Sequence, residues 1–310
     1  DPGESLQSIV VLVFLVSLFS ASQDIVIDAY RRELLADDEL GTGTSIFINA
    51  YRLSSLVPGS LSLILSDLLP WSTVYWVTAA FMAVGIATTL AIRETSDDAL
   101  APRSLREAVI DPFREFFARD GIATGLAILA FMFLYKLGDN MATALQTPFF
   151  HDIGFSGTQI GSIAKFVGTT AAIVGGLIGG LIMVKVSINR ALWLFGFVQI
   201  ASILGFALLS VVGANPWMLA FAMAFEYLGV GLGTAALTAF MAKSTNVAFA
   251  ATQFALFTAL ISVPRVLASA TTGLIVEQTG WTNFFLICTA LAIPGMLLLF
   301  KVAPWNEDMN

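Results

Sequence analysis

The sequence predicts an all-α polytopic membrane protein, on three observations. Of its 310 residues, 57% are hydrophobic and 12% charged, about half the charged share of a soluble domain. The apolar residues gather into continuous runs of about 20, the length that crosses roughly 30 Å of hydrocarbon as a helix; a membrane barrel would instead show short alternating strands. The Lys and Arg residues outside these runs all fall on one side of them, which is the positive-inside pattern.

Nine runs qualify as spans, near 6–30, 43–68, 72–92, 122–148, 157–183, 189–212, 216–242, 249–275 and 282–302. The connections are mostly short and carry breakers, as in Leu69-Pro70-Trp71, Gly213-Ala214-Asn215-Pro216 and Gln278-Thr279-Gly280-Trp281. Residues 93–120 are the exception. They are rich in Arg, Asp and Glu, with helical periodicity in 104–110 and 112–117, and read as an amphipathic linker on the membrane surface.

If the first span runs from outside to inside, one face receives Arg31, Arg32, Arg93, Arg103, Arg106, Arg114, Arg119, Lys185, Arg190, Lys243 and Lys301, and the other face receives none. The linker and the C-terminus are then cytoplasmic. The predicted organisation is a three-helix part over 1–92, a linker over 93–120, a six-helix bundle over 121–304 and a cytoplasmic tail over 305–310. Transporters built from two six-helix halves have six spans on each side of such a linker. The sequence therefore predicts a twelve-helix protein of which this chain holds the last nine.

Composition excludes several function classes. The net charge is −7 and no basic run marks a phosphate-binding surface, so no nucleic-acid partner is expected. Cys288 and His151 are the only residues of their kinds, which argues against a disulfide framework and a multi-histidine metal site. No cofactor motif is present. Gly175-Gly-Leu-Ile-Gly-Gly180 lacks the preceding strand and the following Lys-Ser/Thr of a nucleotide loop, and reads as a close helix-packing stripe. Trp71, Trp217, Trp281 and Trp305 fall near span ends, as interfacial anchors do.

The informative residues are the charges inside the spans, because a charge in hydrocarbon costs about 2.5–3.5 kcal/mol on insertion scales. Asp24 and Asp28 are four apart and share a helix face. Asp28 serves either the polar interior or the Arg31/Arg32 pair at the boundary. Arg52 lies on the next helix at a depth similar to that of Asp24, which predicts a buried pair for structure or for a solute. Lys136 and Asp139 share a face in Tyr135-Lys-Leu-Gly-Asp-Asn140, and Gly138, Thr143, Gln146 and Pro148 predict an unwound or kinked outer half there. Asp139 is either a proton carrier with Lys136 as counter-charge or half of a structural pair. Lys165, Glu226 and Arg265 are each the one charge of their span, so their counter-charges come from other helices or from a ligand. Inward-facing cations suit an acidic solute, and Arg is the best fork for a carboxylate.

The segments Ser22-Gln-Asp-Ile-Val-Ile-Asp-Ala29, Tyr51-Arg52, Tyr135-Lys-Leu-Gly-Asp139, Ala251-Thr-Gln-Phe-Ala-Leu256, Arg265-Val266 and Gly280-Trp281 followed by Phe284-Phe285-Leu286 resemble AmpG-type muropeptide permeases of the major facilitator superfamily. The resemblance runs through essentially the whole chain, starting at that family's fourth helix. The first segment is shared with acetyl-CoA transporters of the same superfamily. One departure is Pro264, where the family pattern places Gly before the Arg.

The resemblance implies proton-driven import of GlcNAc-anhydroMurNAc and its peptides across the bacterial inner membrane for cell-wall recycling, by alternating access. On this basis Asp24, Asp28, Asp139 and Glu226 are expected in proton or counter-charge roles. Arg52, Lys136, Lys165, Arg265, Asn140, Gln253 and Tyr135 are expected at the substrate. The rival readings are a carrier of another acidic solute such as an acyl-CoA, an intramembrane enzyme and a non-transporting receptor. The enzyme reading lacks support, since no HExxH or GxGD motif is present.

Overall fold

Capping residues set the helix starts. Asn215 Oδ1 accepts from the backbone N–H groups of Trp217 and Met218 at 2.9 and 3.2 Å, and Pro216 occupies the first turn, where its missing N–H costs nothing. Ser104 Oγ likewise accepts from the Glu107 N–H at 3.2 Å. In the computed structural model, which describes residues 6–62, 65, 68–92, 104–156 and 159–305, the described residues fold as helices joined by short turns.

In chain order these are α1 (Leu6–Leu34), α2 (Leu40–Ser54, followed by a π-turn at Val57–Leu61), α3 (Trp71–Ala80), α4 (Met82–Ala91), α5 (Leu105–Arg119), α6 (Ile122–Tyr135), α7 (Leu137–Ala144), α8 (Gln146–Asp152) and α9 (Phe166–Met183, preceded by a π-turn at Ile160–Lys165). Then come α10 (Ile188–Val212), α11 (Pro216–Ser244), α12 (250–279) and α13 (281–302). The last two are separated by Gly280, whose φ of 76° and ψ of 166° interrupt the helical Ala250–Val302 stretch. Residue 280 lies at positive φ with an extended ψ, a region essentially reserved for glycine.

Among the described residues, eight helices are long and apolar enough to cross a membrane. They match eight of the nine expected spans. The ninth, 43–68, is represented by α2 and its π-turn. Residues 63, 64, 66 and 67 of that run lie outside the described residues, as do Arg93 and Arg103 of the basic face. Leu, Val, Ile and Phe side chains stand exposed along α1, α4, α9 and α10, including Val16, Leu90, Leu181 and Val211. Such an apolar outer surface suits lipid rather than water.

The core lies among the helices after residue 121. Phe131, Phe240, Leu192 and Leu299 are fully buried at one end, and Phe149, Phe206, Phe284 and Phe285 at the other. Helices α9 and α11 meet backbone to backbone: a Cβ added to Gly231 would strike the carbonyl of Ala172 and the backbone of Gly175 and Gly176. The glycine stripe thus packs helices, as its spacing predicts. Helix α2 also lies on α9, with Gly180 against Ser45 and Gly176 against Asn49.

Residues 105–119 form one helix that continues through Pro112. Contacts at the proline and one turn after it hold the helix to the bundle: Gln253 Nε2 donates to the Pro112 carbonyl at 3.0 Å, and the buried Phe116 ring meets Phe257 edge-on at 5.4 Å.

Candidate functional site

The run from 122 to 152 is three helices rather than one. The first break falls at Lys136 (φ −103°, ψ 0°) and the second at Leu145 (φ −112°, ψ 23°). The kinked outer half expected from Gly138 and Pro148 is present, and the first break sits on the charged residue itself. Gly138 makes this packing feasible, because an added Cβ would lie 2.5 Å from the Cys288 carbonyl oxygen.

At this break a buried polar cluster forms. Lys136 Nζ donates to Asp139 Oδ2 at 3.0 Å and to Gln199 Oε1 of α10 at 2.8 Å. Glu226 of α11, 1% exposed, reaches the same cluster. Its Oε2 lies 2.7 Å from Ser202 Oγ, which is also 2.8 Å from the Gln199 carbonyl. Gln199 thus links the Lys136–Asp139 pair to the Ser202–Glu226 pair. Two carboxyl groups and one ammonium therefore share one buried site, away from the water that would otherwise screen them.

Lys136 and Asp139 also line a cavity of about 410 Å³, together with Asp28 of α1, Phe47 of α2, Asn140 and Arg265. Hydroxyl groups at four-residue spacing complete its wall, from Thr234 and Thr238 on α11 and from Thr258 and Ser262 on α12. The cavity thus lies between the helices before the linker and those after it. Next to it, the Arg31 guanidinium sits over the Phe47 ring at 4.2 Å and the Phe254 ring at 5.1 Å. Arg31 Nη2 is 3.0 Å from Asp28 Oδ1, a charge contact without hydrogen-bond alignment. Arg32 Nε donates to the Thr245 carbonyl at 3.4 Å and its Nη2 lies 3.0 Å from Asp37 Oδ1. These contacts tie the end of α1 to α2, to α12 and to the residue after α11, beside the cavity.

Of the residues singled out in the sequence, the structure brings Asp28, Lys136, Asp139, Asn140 and Arg265 to the cavity and Glu226 directly behind it. The others lie elsewhere. Asp24 is exposed, because α1 meets the other helices through its C-terminal end. The predicted Asp24–Arg52 pair is absent: Arg52 Nη1 donates to the Ala172 carbonyl on α9, beside the Ser45 bond to the Gly176 carbonyl. Tyr135 is buried, with its hydroxyl donating to the Leu192 carbonyl at 2.9 Å. The Lys165 side chain lies outside the described residues.

Gln253 belongs to the linker rather than the cavity. Its Nε2 donates to Glu115 Oε2 at 2.6 Å, and its Oε1 accepts from the Asn246 N–H at 2.8 Å. Burial alone would raise the Glu115 pKa. The hydrogen bonds from Asn246, Arg119 and Gln253 and the Arg119 charge outweigh it and hold the carboxyl below its ordinary value.

A second cavity, of about 540 Å³, opens near His151 and is lined by Gln146, Thr147, Thr169 and Tyr227, with the Tyr227 hydroxyl donating to Gln146 Oε1 at 3.0 Å. Gln199 and Ser202 were missed as site residues. Their signal is two polar residues three apart on one face of an otherwise apolar helix.

A cavity between two sets of helices, with paired charges near the middle of its long helices, is the arrangement expected of a membrane carrier. In agreement, residues 3–269 match the Major Facilitator Superfamily, and the chain belongs to that family. The chain is 46% identical over 319 residues to an uncharacterized protein of Haemophilus influenzae, covering 100% of this chain and 75% of that protein. It is 40% identical over 301 residues to the anhydromuropeptide permease of Escherichia coli K12, covering 96% of this chain and 61% of the permease. The putative transporter AmpG 1 of Rickettsia prowazekii is 28% identical over 340 residues, covering 97% and 77%. The chain thus spans about three-fifths of the permease's length. It is a multi-pass membrane protein of a transporter family rather than an enzyme.

Proposed function

We propose that this protein carries muropeptides, GlcNAc-anhydroMurNAc and its peptides, into the cytoplasm across the bacterial inner membrane, together with protons and by alternating access. The observation that carries the reading is the cavity's chemistry. Lys136 and Arg265 offer cations to the carboxylates of a peptide stem, and Asn140, Thr234, Thr238, Thr258 and Ser262 offer hydrogen bonds to sugar and amide groups. The 40% identity to an anhydromuropeptide permease supports the same substrate class.

In this reading residues 1–92 and 121–304 are the two bodies that rock about the cavity, 93–120 tethers them, and the tail at 305–310 is cytoplasmic along with the linker. Arg31 and Arg32 then close the cavity's cytoplasmic end, and Asp28 is the counter-charge of that closure. Asp139 and Glu226 carry the coupling proton.

Competition identifies the substrate. In membrane vesicles holding the intact protein, uptake of a labelled anhydromuropeptide is expected to be blocked by unlabelled anhydro-disaccharide and untouched by CoA esters. Block by CoA esters with none by the disaccharide would assign the cavity to an acyl-CoA instead.

A further inference from the structure

The second cavity, unlike the first, lies wholly among the helices after the linker. Helix α8 supplies Gln146 and His151, α9 supplies Gly168 and Thr169, and α11 supplies Met223 and Tyr227. Its volume of about 540 Å³ falls in the range of small-molecule sites, roughly 300–1,000 Å³. None of the described residues that line it is Asp, Glu, Lys or Arg. The first cavity, by contrast, presents Asp28, Lys136, Asp139 and Arg265. An ionised group would find no counter-charge among the lining residues of the second cavity, so its chemistry suits a neutral ligand that makes hydrogen bonds.

The polar groups are arranged for such a ligand. Thr147, His151 and Thr169 are exposed, whereas Gln146, Phe150 and Met223 are buried. The Tyr227 hydroxyl donates to Gln146 Oε1 at 3.0 Å and so fixes the direction of the amide. Gln146 Nε2 is buried with no acceptor among the described residues. A buried donor without an acceptor is costly, so a ligand that brings a carbonyl oxygen to Nε2 gains a bond that the free protein lacks. Gly168 makes room for the Tyr227 ring, since a Cβ there would lie 3.0 Å from Met223 Cε and 3.3 Å from Tyr227 Cδ2. A carbonyl and a methyl group on a ring of hydroxyls match these features together. The carbonyl suits Gln146, the methyl suits Phe150 and Met223, and the hydroxyls suit Thr147, His151 and Thr169.

We propose that the second cavity is a separate subsite for a neutral N-acetylated sugar ring, with Gln146 as donor to the acetamido oxygen and Tyr227 as the residue that positions Gln146. The inference deepens the muropeptide reading above and rests on it for the sugar's being part of a transported solute. Asn140 lines the first cavity and Gln146 the second, six residues on, which is about 9 Å along a helix. One solute can therefore lay its peptide carboxylates by Lys136 and Arg265 and its far sugar by Gln146. A solute held at both ends binds more tightly than either fragment, because the second contact forms at a high effective concentration.

Saturation-transfer NMR on the intact purified protein tests this. The probe is methyl N-acetyl-β-glucosaminide, and methyl β-glucoside, which lacks the acetamido group, is its comparison. Transfer is expected to be strongest at the acetyl methyl group, and the glucoside to bind at least about threefold more weakly, as the loss of one neutral hydrogen bond requires. Gln146→Leu is expected to lose this preference, and Tyr227→Phe, which keeps the ring and frees the amide, to reduce it. Alanyl-glutamate, an acidic peptide without a sugar, is expected not to displace the probe. Equal binding of the two glycosides by the wild type, or transfer to neither, overturns the subsite without recourse to any variant. A preference unchanged in Gln146→Leu overturns the role of Gln146, one unchanged in Tyr227→Phe overturns the positioning, and displacement by the peptide overturns the separation of the two cavities. The measurement involves no transport. Absent muropeptide uptake with the glycoside preference intact would sink the transport reading and leave the subsite standing, whereas uptake unchanged in Gln146→Leu would remove the subsite from the path and spare that reading.

Discussion

At the scale of single residues, Glu115 shows how a polar side chain can be structural in a transporter. It accepts from Arg119, Asn246 and Gln253, and so ties the linker helix to the start of α12. Because its pKa is held below the ordinary value, its contribution to stability is complete above the ordinary carboxylate range and lost as pH falls through the lowered value. Thermal unfolding of wild type and Glu115→Gln in detergent should differ at neutral pH and converge in acid; a gap independent of pH would contradict the charge's role. Gln253→Ala removes the buried amide that bonds to the Pro112 carbonyl, Glu115 and the Asn246 N–H. It should cost about 1–3 kcal/mol, the cost of stranding buried partners, and leave solute affinity unchanged. Lower affinity at unchanged stability would return Gln253 to the cavity. Lys136→Met breaks a buried pair and should cost about 3–5 kcal/mol unless a proton replaces the lost charge.

At the scale of helices, much was legible and the rest failed for identifiable reasons. Span positions followed from run length, and the kink near Gly138 followed from breaker residues, since both are local. The glycine stripe predicted close packing, which α9 and α11 realise at Gly231. Gly231→Val places two methyl groups against the Ala172 carbonyl and should cost at least about 1–3 kcal/mol as overpacking. A variant as stable as wild type in a detergent melt would refute that contact. Gly280 separates α12 from α13 in open space, so Gly280→Ala should cost only its backbone strain, about 1–2 kcal/mol. Partners were less legible than positions. Equal depth suggested that Arg52 meets Asp24, but depth does not fix the rotation of a helix, and the side chain turns instead to a carbonyl of α9. Gln253 read as a solute ligand because its partner Glu115 is 138 residues away in the chain. Gln199 escaped notice because an uncharged amide leaves little mark in an apolar run.

At the scale of the whole molecule, Asp28, Lys136, Asp139 and Arg265 converge on one cavity. Beside it stand Arg31 and Arg32, which read in the sequence as boundary charges. Arg31 lies between Phe47 and Phe254, with Asp28 alongside, and these contacts join α1 and α2 to α12. In an alternating-access cycle they must part for the solute to leave toward the cytoplasm. Arg31→Ala should therefore favour the cytoplasm-open form, seen as faster labelling of a cysteine placed at Thr258. Unchanged labelling would show that the closure rests on other contacts.

The central claim is that an inward proton gradient drives a muropeptide through this cavity. The most direct measurement is accumulation of a labelled anhydromuropeptide in proteoliposomes holding the intact protein, with the pH gradient as the only driving force. Accumulation above the external concentration is predicted. It should collapse when a protonophore is added and be absent in both Asp139→Asn and Glu226→Gln, which should still equilibrate solute. Equal accumulation with and without the gradient, or full gradient-driven accumulation by either variant, would contradict the account.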